Sequence, residues 1–162
     1  MYSIGDKIVH PMHGAGTIES ITTQTVNGSI LEYYILKLPA NNMTIMVPVA
    51  TSEKIGIRDV ISHERADELI SLFSTIDIDL DTNWNKRYRD NIARIKSGDL
   101  DEVVRVIKSF TYRDFKSGLS TGERKILHSA KQILISELVL AKELAYDEID
   151  SKIDSIIYEC FK

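Results

Sequence analysis

A single cysteine, Cys160, stands in the 162 residues. No disulfide can form within the chain, and the sequence suits a reducing compartment. Proline is almost as scarce: Pro11, Pro39 and Pro48 lie in the first third, and none follows. No run approaches the roughly 18 apolar residues that a membrane helix needs. The opening Met1-Tyr2-Ser3-Ile4-Gly5-Asp6-Lys7 lacks the basic-then-apolar layout of a signal peptide. The expected location is therefore the cytoplasm, with no membrane partner. Long polar or repetitive stretches are missing too, and the 43% hydrophobic content supports one ordinary core or two small ones.

Catalytic signatures are also missing. Neither Gly-x4-Gly-Lys-Ser/Thr nor Gly-x-Gly-x-x-Gly occurs. His10 and His13 have a spacing that a metal tolerates, but no cysteine or carboxylate cluster accompanies them. His63 and His128 are isolated, and Cys160 has no neighbouring base. The carboxylate pairs Asp101/Glu102 and Asp147/Glu148 are adjacent in helical stretches, so they point in different directions. We expect no enzyme, no cofactor and no metal site.

What is present falls into two parts. Residues 1–60 read as strands: Ile8 and Val9 begin a run, and His13-Gly14-Ala15-Gly16 supplies a turn. Thr17–Val26 and Ser29–Leu38 flank Asn27-Gly28, a type I′ hairpin signal. Pro39-Ala40-Asn41-Asn42 breaks the chain before a strand over Met43–Val49. Four or five antiparallel strands curled into a small barrel manage their edges best. After Pro48 the apolar period changes from two to 3.6. Helices are predicted over Ser62–Phe73, Trp84–Lys96, Leu100 to about Gly118, a long one opened by the capping box Ser120/Glu123, and roughly Tyr146–Phe161. Ser74–Asn83, Asp-rich and aperiodic, reads as a linker. The predicted class is α+β in two modules: a small β-barrel in 1–60 and an all-α bundle in 61–162.

The net charge of −4 conceals a polarised chain. Residues 61–81 carry one Lys/Arg against six Asp/Glu, whereas residues 82–131 carry twelve against six. A basic block inside an acidic protein fits a phosphate-binding surface, or equally a solvated helix face. Its densest part is Thr82-Asn83-Trp84-Asn85-Lys86-Arg87-Tyr88-Arg89, where the only tryptophan meets three cations at a helix start. Trp84 and Tyr88 lie within 40° on a helical wheel, with Arg87 and Arg94 on one side and Arg89 and Lys96 on the other. Such a ridge suits a nucleic-acid backbone with an aromatic for bases. Trp84 also shares its stripe with Ile92 and Ile95, so a core position is open as well. Arg124 and Lys125 extend the cations, and the amides after Ser120 offer an anion site at a helix N-terminus.

Three stretches together resemble the CarD/CdnL family of bacterial transcription regulators, whose N-terminal domain also occurs in the transcription-repair coupling factor. They are Gly5–Gly16; Met43–Pro48 followed by Gly56–Ile61; and, in the helical part, Asn83–Arg89 with Gly118–Lys125. The resemblance implies a Tudor-like β-domain that binds the RNA polymerase β subunit by strand pairing. It also implies a helical domain that contacts promoter DNA at the upstream edge of the bubble, without base specificity. Trp84 matches the family tryptophan that wedges there, and Lys86, Arg87 and Arg89 match its basic neighbours. The expected DNA contacts are Trp84, Lys86, Arg87, Arg89, Arg94, Arg124 and Lys125; the expected polymerase contacts are Gln24, Thr25, Val26, Ile45, Met46 and Val47. Some family members have arginines where Gln24 and Met46 stand here, which removes a charge-pair component but not main-chain pairing. The reading from another class is an adaptor whose basic helices meet an acidic protein partner.

Overall fold

β-Branched and aromatic residues dominate the stretch after Lys7, and the chain there is extended. The computed structural model describes residues 1–39 and 42–162, so Ala40 and Asn41 of the predicted break lie outside the described residues. Strands β1 (Lys7–His10), β2 (Gly14–Val26), β3 (Ser29–Lys37), β4 (Thr44–Pro48) and β5 (Arg58–Asp59) form one antiparallel sheet in the order β4-β3-β2-β1-β5. Asn27 and Gly28, at φ 50° and 80°, form the two-residue turn that sets Val26 opposite Ser29. A register shift between Ile18 and Ser20 bends β2. The sheet thereby wraps Ile8, Ile18, Tyr34, Leu36, Leu38 and Val47 into a small core. It curls without closing: β4 and β5 remain as its two edges.

A single turn, α1 (Ser52–Ile55), leads into β5, and the helical part follows: α2 (His63–Leu72), α3 (Trp84–Lys96), α4 (Leu100–Ser117), α5 (Thr121–Lys142) and α6 (Tyr146–Cys160). Ser62, Asn83, Asp99 and Ser120 each accept an amide hydrogen bond at a helix start, satisfying donors that the helix itself leaves unpaired. The apolar faces of α2 and α4 are buried throughout: Ala66, Leu69, Ile70 and Phe73 pack with Leu100, Val103, Val104, Ile107 and Phe110.

Helix α5 joins the two parts because it is buried on two sides. Ala130, Leu134 and Leu138 enter the bundle core, while Ser136 and Glu137 meet the sheet. The Ala15 amide donates to Ser136 Oγ at 2.8 Å. Gly14, at φ 97°, sits so close that a Cβ there would collide with that oxygen. Arg58 reaches from β5 and donates through both terminal nitrogens to Glu137, at 2.7 Å each, and the Ile61 amide adds a third bond at 2.9 Å. Glu137 is 0% exposed. The sheet and the bundle are thus locked by a buried carboxylate, a contact that periodicity alone did not predict.

Candidate nucleic-acid interface

Helix α3 begins at the bundle surface. Asn83 caps it, its side chain accepting from the Lys86 amide at 3.0 Å, and Trp84 occupies the first turn. Tyr88, Ile92 and Ile95 of the stripe pack against the core, but Trp84 is 45% exposed. Its ring stacks on Tyr88 with centroids 5.1 Å apart and planes 20° from parallel. Tyr88 lies in turn against the start of α5, where a Cβ on Gly122 would be 3.5 Å from its Cε2. Of the two positions open from sequence, Trp84 therefore takes the surface one. It presents a flat aromatic face backed by a second ring.

The cations around it divide into free and committed groups. Arg89 and Lys125 are exposed and have no ion pair among the described residues. Arg124 is largely exposed and pairs loosely with Asp114 at 3.4 Å. Lys86 is exposed as well, with Asp81 at 3.0 Å. Arg87 corrects the sequence reading. It was expected beside Trp84 as a phosphate contact, yet it is 6% exposed. Its Nε donates to Glu123 at 3.0 Å and its Nη1 to the Asp81 carbonyl at 3.1 Å. A guanidinium buried and paired this way presents almost no surface to DNA. Arg94, also expected as a contact, is half-buried and holds Asp79 at 2.8 Å, Asn91 at 2.9 Å and Glu102 at 3.3 Å.

The segment read as a linker explains much of this. Residues 76–83 run as a strap without regular structure, and Arg87, Arg94, Arg105, Lys108 and Arg113 of α3 and α4 bond to it. Lys108 donates to the Ile76 carbonyl, Arg105 to that of Asp77 and Arg113 to that of Asp81. Burial pushes the Asp79 carboxyl up, but hydrogen bonds from Arg94 and the Asp81 amide outweigh it and hold the group below its ordinary range. Asp81 is held low by the Asn83 amide and by Lys86. Two carboxylates of the acidic segment, Asp79 and Asp81, thus pair in space with Arg94 and Lys86 of the basic block. The signal for this was legible, three aspartates alternating through Asp77, Asp79 and Asp81 beside a cation-rich block, but their partners were not.

The N-terminus of α5 is likewise occupied. Glu123 closes the expected capping box, accepting from the Ser120 amide at 3.4 Å and its hydroxyl at 3.2 Å while Ser120 Oγ accepts the Glu123 amide. At the predicted anion site the protein's own carboxylate already takes the Ser120 amide, and Ser120 Oγ takes that of Glu123. Burial raises the Glu123 carboxyl, but Arg87 and Ser120 more than compensate, and it stays below its usual range.

On the sheet, Gln24, Thr25 and Val26 lie exposed on β2, beyond the stretch paired with β1. On either side of β4 the Val49 amide donates to the Glu32 carbonyl and the Leu38 amide to the Met43 carbonyl. Antiparallel alternation then directs the main-chain groups of Ile45 and Val47 inward to β3, and those of Thr44 and Met46 to the outer edge. Val47 is buried in the sheet core and Ile45 packs against it. Among the three expected β4 contacts, only Met46 offers both an exposed side chain and outward main-chain groups. Val47 is thus corrected from a surface contact to a core residue. Val26, Ile30, Leu31 and Met46 give this end of the sheet an exposed apolar character.

His10 and His13 stand with ring centroids 4.6 Å apart, and His10 Nδ1 accepts the Met12 amide. Among the described residues, no three His, Cys, Asp or Glu side chains gather to hold a metal ion, and no helix is long and apolar enough to cross a membrane.

An open-edged antiparallel sheet is locked to a helical bundle that displays a stacked tryptophan, a two-part layout. Two family patterns match it in the same order: "CarD-like/TRCF RID domain" over residues 2–61 and "CarD, C-terminal domain" over residues 68–154. A Bacillus subtilis (strain 168) protein named "Putative transcription factor YdeB" is 32% identical over 151 residues, covering 93% of this chain and 99% of that protein. The chain belongs to the CarD family.

Proposed function

We propose that this protein regulates transcription initiation by docking its sheet on the RNA polymerase β subunit and stabilising the open promoter complex through the Trp84 face. Family membership and the name of the Bacillus relative support the general role. The observation that carries the finer reading is the half-exposed Trp84–Tyr88 stack on the first turn of α3, with Arg89, Arg124 and Lys125 as unburied cations. A flat aromatic of this kind gains most where bases are unstacked, so it favours open over closed promoter DNA. Base specificity is unnecessary because the polymerase selects the site. The outer edge of β4 supplies a template for strand pairing, and Pro48, which has no amide to offer, lies at the end of that edge.

The adaptor reading draws less support. It draws on the same unburied cations, Lys86, Arg89, Arg124 and Lys125, and gives no role to the exposed Trp84–Tyr88 stack. The test is the dissociation of polymerase–promoter open complexes after a competitor challenge, with and without the protein. Slower dissociation is expected. Unchanged dissociation, with polymerase bound, would overturn the proposal.

A further inference from the structure

Helix α3 touches the rest of the bundle through few apolar side chains at its first turn, because Trp84 points outward. Something else must fix that turn. The Asp81 carbonyl accepts from both Arg87 at 3.1 Å and Arg113 at 3.2 Å, and the Asp81 carboxylate accepts the Asn83 amide at 2.9 Å. Arg87 then crosses to α5, where Glu123 is 3% exposed. The same Glu123 carboxylate closes the Ser120 cap, one residue from the Gly122 that lies against Tyr88. One buried carboxylate therefore ties together the start of α3, the start of α5 and the surface beneath the Tyr88 ring.

We infer that Arg87 and Glu123 are positioning residues whose buried ion pair fixes the Trp84–Tyr88 stack in its exposed orientation. Neither reaches a ligand itself; each acts through the stack. The planar guanidinium matters as much as its charge, because Nε serves Glu123 while Nη1 serves the Asp81 carbonyl, a division that a lysine ammonium cannot reproduce. A group held by fixed partners loses little orientational freedom when a base stacks on it. The consequence for the open complex rests on the function proposed above; the positioning itself does not.

The chain's only tryptophan makes the inference directly measurable, because all tryptophan emission comes from Trp84. Glu123→Gln in the full chain removes the ion pair, and Ser120→Ala loosens the same cap while sparing Arg87. Both are compared with the wild type at a temperature where circular dichroism shows each to be folded. Glu123→Gln should shift the emission and increase acrylamide quenching, whereas Ser120→Ala should not. Arg87→Lys, which keeps the buried charge, should resemble Glu123→Gln and guards against a Gln variant that fails to fold. Open-complex lifetime should fall about fivefold or more for Glu123→Gln, the lower bound set by loss of one base stack. Altered emission with an unchanged lifetime would support the positioning role while refuting the function assigned to Trp84. Emission and quenching indistinguishable from those of Ser120→Ala in both Glu123→Gln and Arg87→Lys would overturn the inference.

Discussion

Arg58→Met should destabilise the whole chain although Arg58 lies on a two-residue strand. Glu137 is 0% exposed and accepts three hydrogen bonds, two from Arg58 at 2.7 Å and one from the Ile61 amide at 2.9 Å. Removing the guanidinium leaves a buried carboxylate with a single amide donor. Breaking a buried pair in this way costs about 3–5 kcal/mol. The Arg58 side chain is 39% exposed, so water can enter the vacated space, and the lower end, about 3 kcal/mol, applies. For a chain of this size that is a fall of about 6–12 °C in melting temperature. The double variant Arg58→Met/Glu137→Leu should recover part of the loss, because no uncompensated charge remains. The assay is thermal melting of the three proteins by circular dichroism. An Arg58→Met melt within about 2 °C of the wild type, or a double variant worse than the single, would refute the reasoning.

Other outcomes follow from the same geometry. If DNA is met by Lys86, Arg89, Arg124 and Lys125 only, the log–log slope of affinity against salt should be about 3–4, not the roughly 11 expected were all twelve cations of the block engaged; charge reversal at Arg89 should flatten it by about one. A proline at Met46 removes the outward-facing amide of β4 and should weaken capture of the polymerase β subunit without lowering the melting temperature greatly, since Met46 does not donate to β3. Asp79 and Glu123 are held below their ordinary range, so they contribute stability that is complete above their unfolded values, near pH 4, and is lost as pH falls through the lower folded values. Their contribution to the melting temperature should therefore hold from about pH 8 to 5 and be lost below about pH 4; Asp79→Asn should make that acid drop shallower, and a drop of the same depth would refute the assignment.

Local signals carried much of the fold. Asn27-Gly28, the Ser120/Glu123 box and the caps at Ser62, Asn83 and Asp99 act through neighbours a few residues away, so their residue types alone determine their structure. The α4 stripe was legible for the same reason. What escaped depends on distant partners. Arg87 reads as a surface cation until Glu123, 36 residues on, is placed beside it. Ser136-Glu137 interrupts the apolar run of α5, a hint that this helix has a second buried side, yet nothing local identifies Ala15 and Arg58 as the partners. The strap at 76–83 reads as a linker because main-chain carbonyls, which leave no trace in side-chain chemistry, receive Arg105, Lys108 and Arg113. Trp84 lay between two readings, and its position in the first turn, beyond the reach of the bundle, decided the matter.

Trp84→Ala tests the central claim most directly. The ring is 45% exposed and its main intramolecular contact is the Tyr88 stack. The variant should therefore lose about 0.5–1.5 kcal/mol of stability, not the 3–5 kcal/mol of a buried aromatic. Loss of a base stack worth about 1–3 kcal/mol should shorten the open-complex lifetime between about fivefold and a hundredfold. Polymerase capture should be unchanged, because Trp84 lies on α3 and the proposed docking edge is β4. The lifetime of the open complex, measured for wild type and variant at saturating protein, is the decisive number. A several-fold shorter lifetime with intact melting and capture is predicted; an unchanged lifetime would contradict the account.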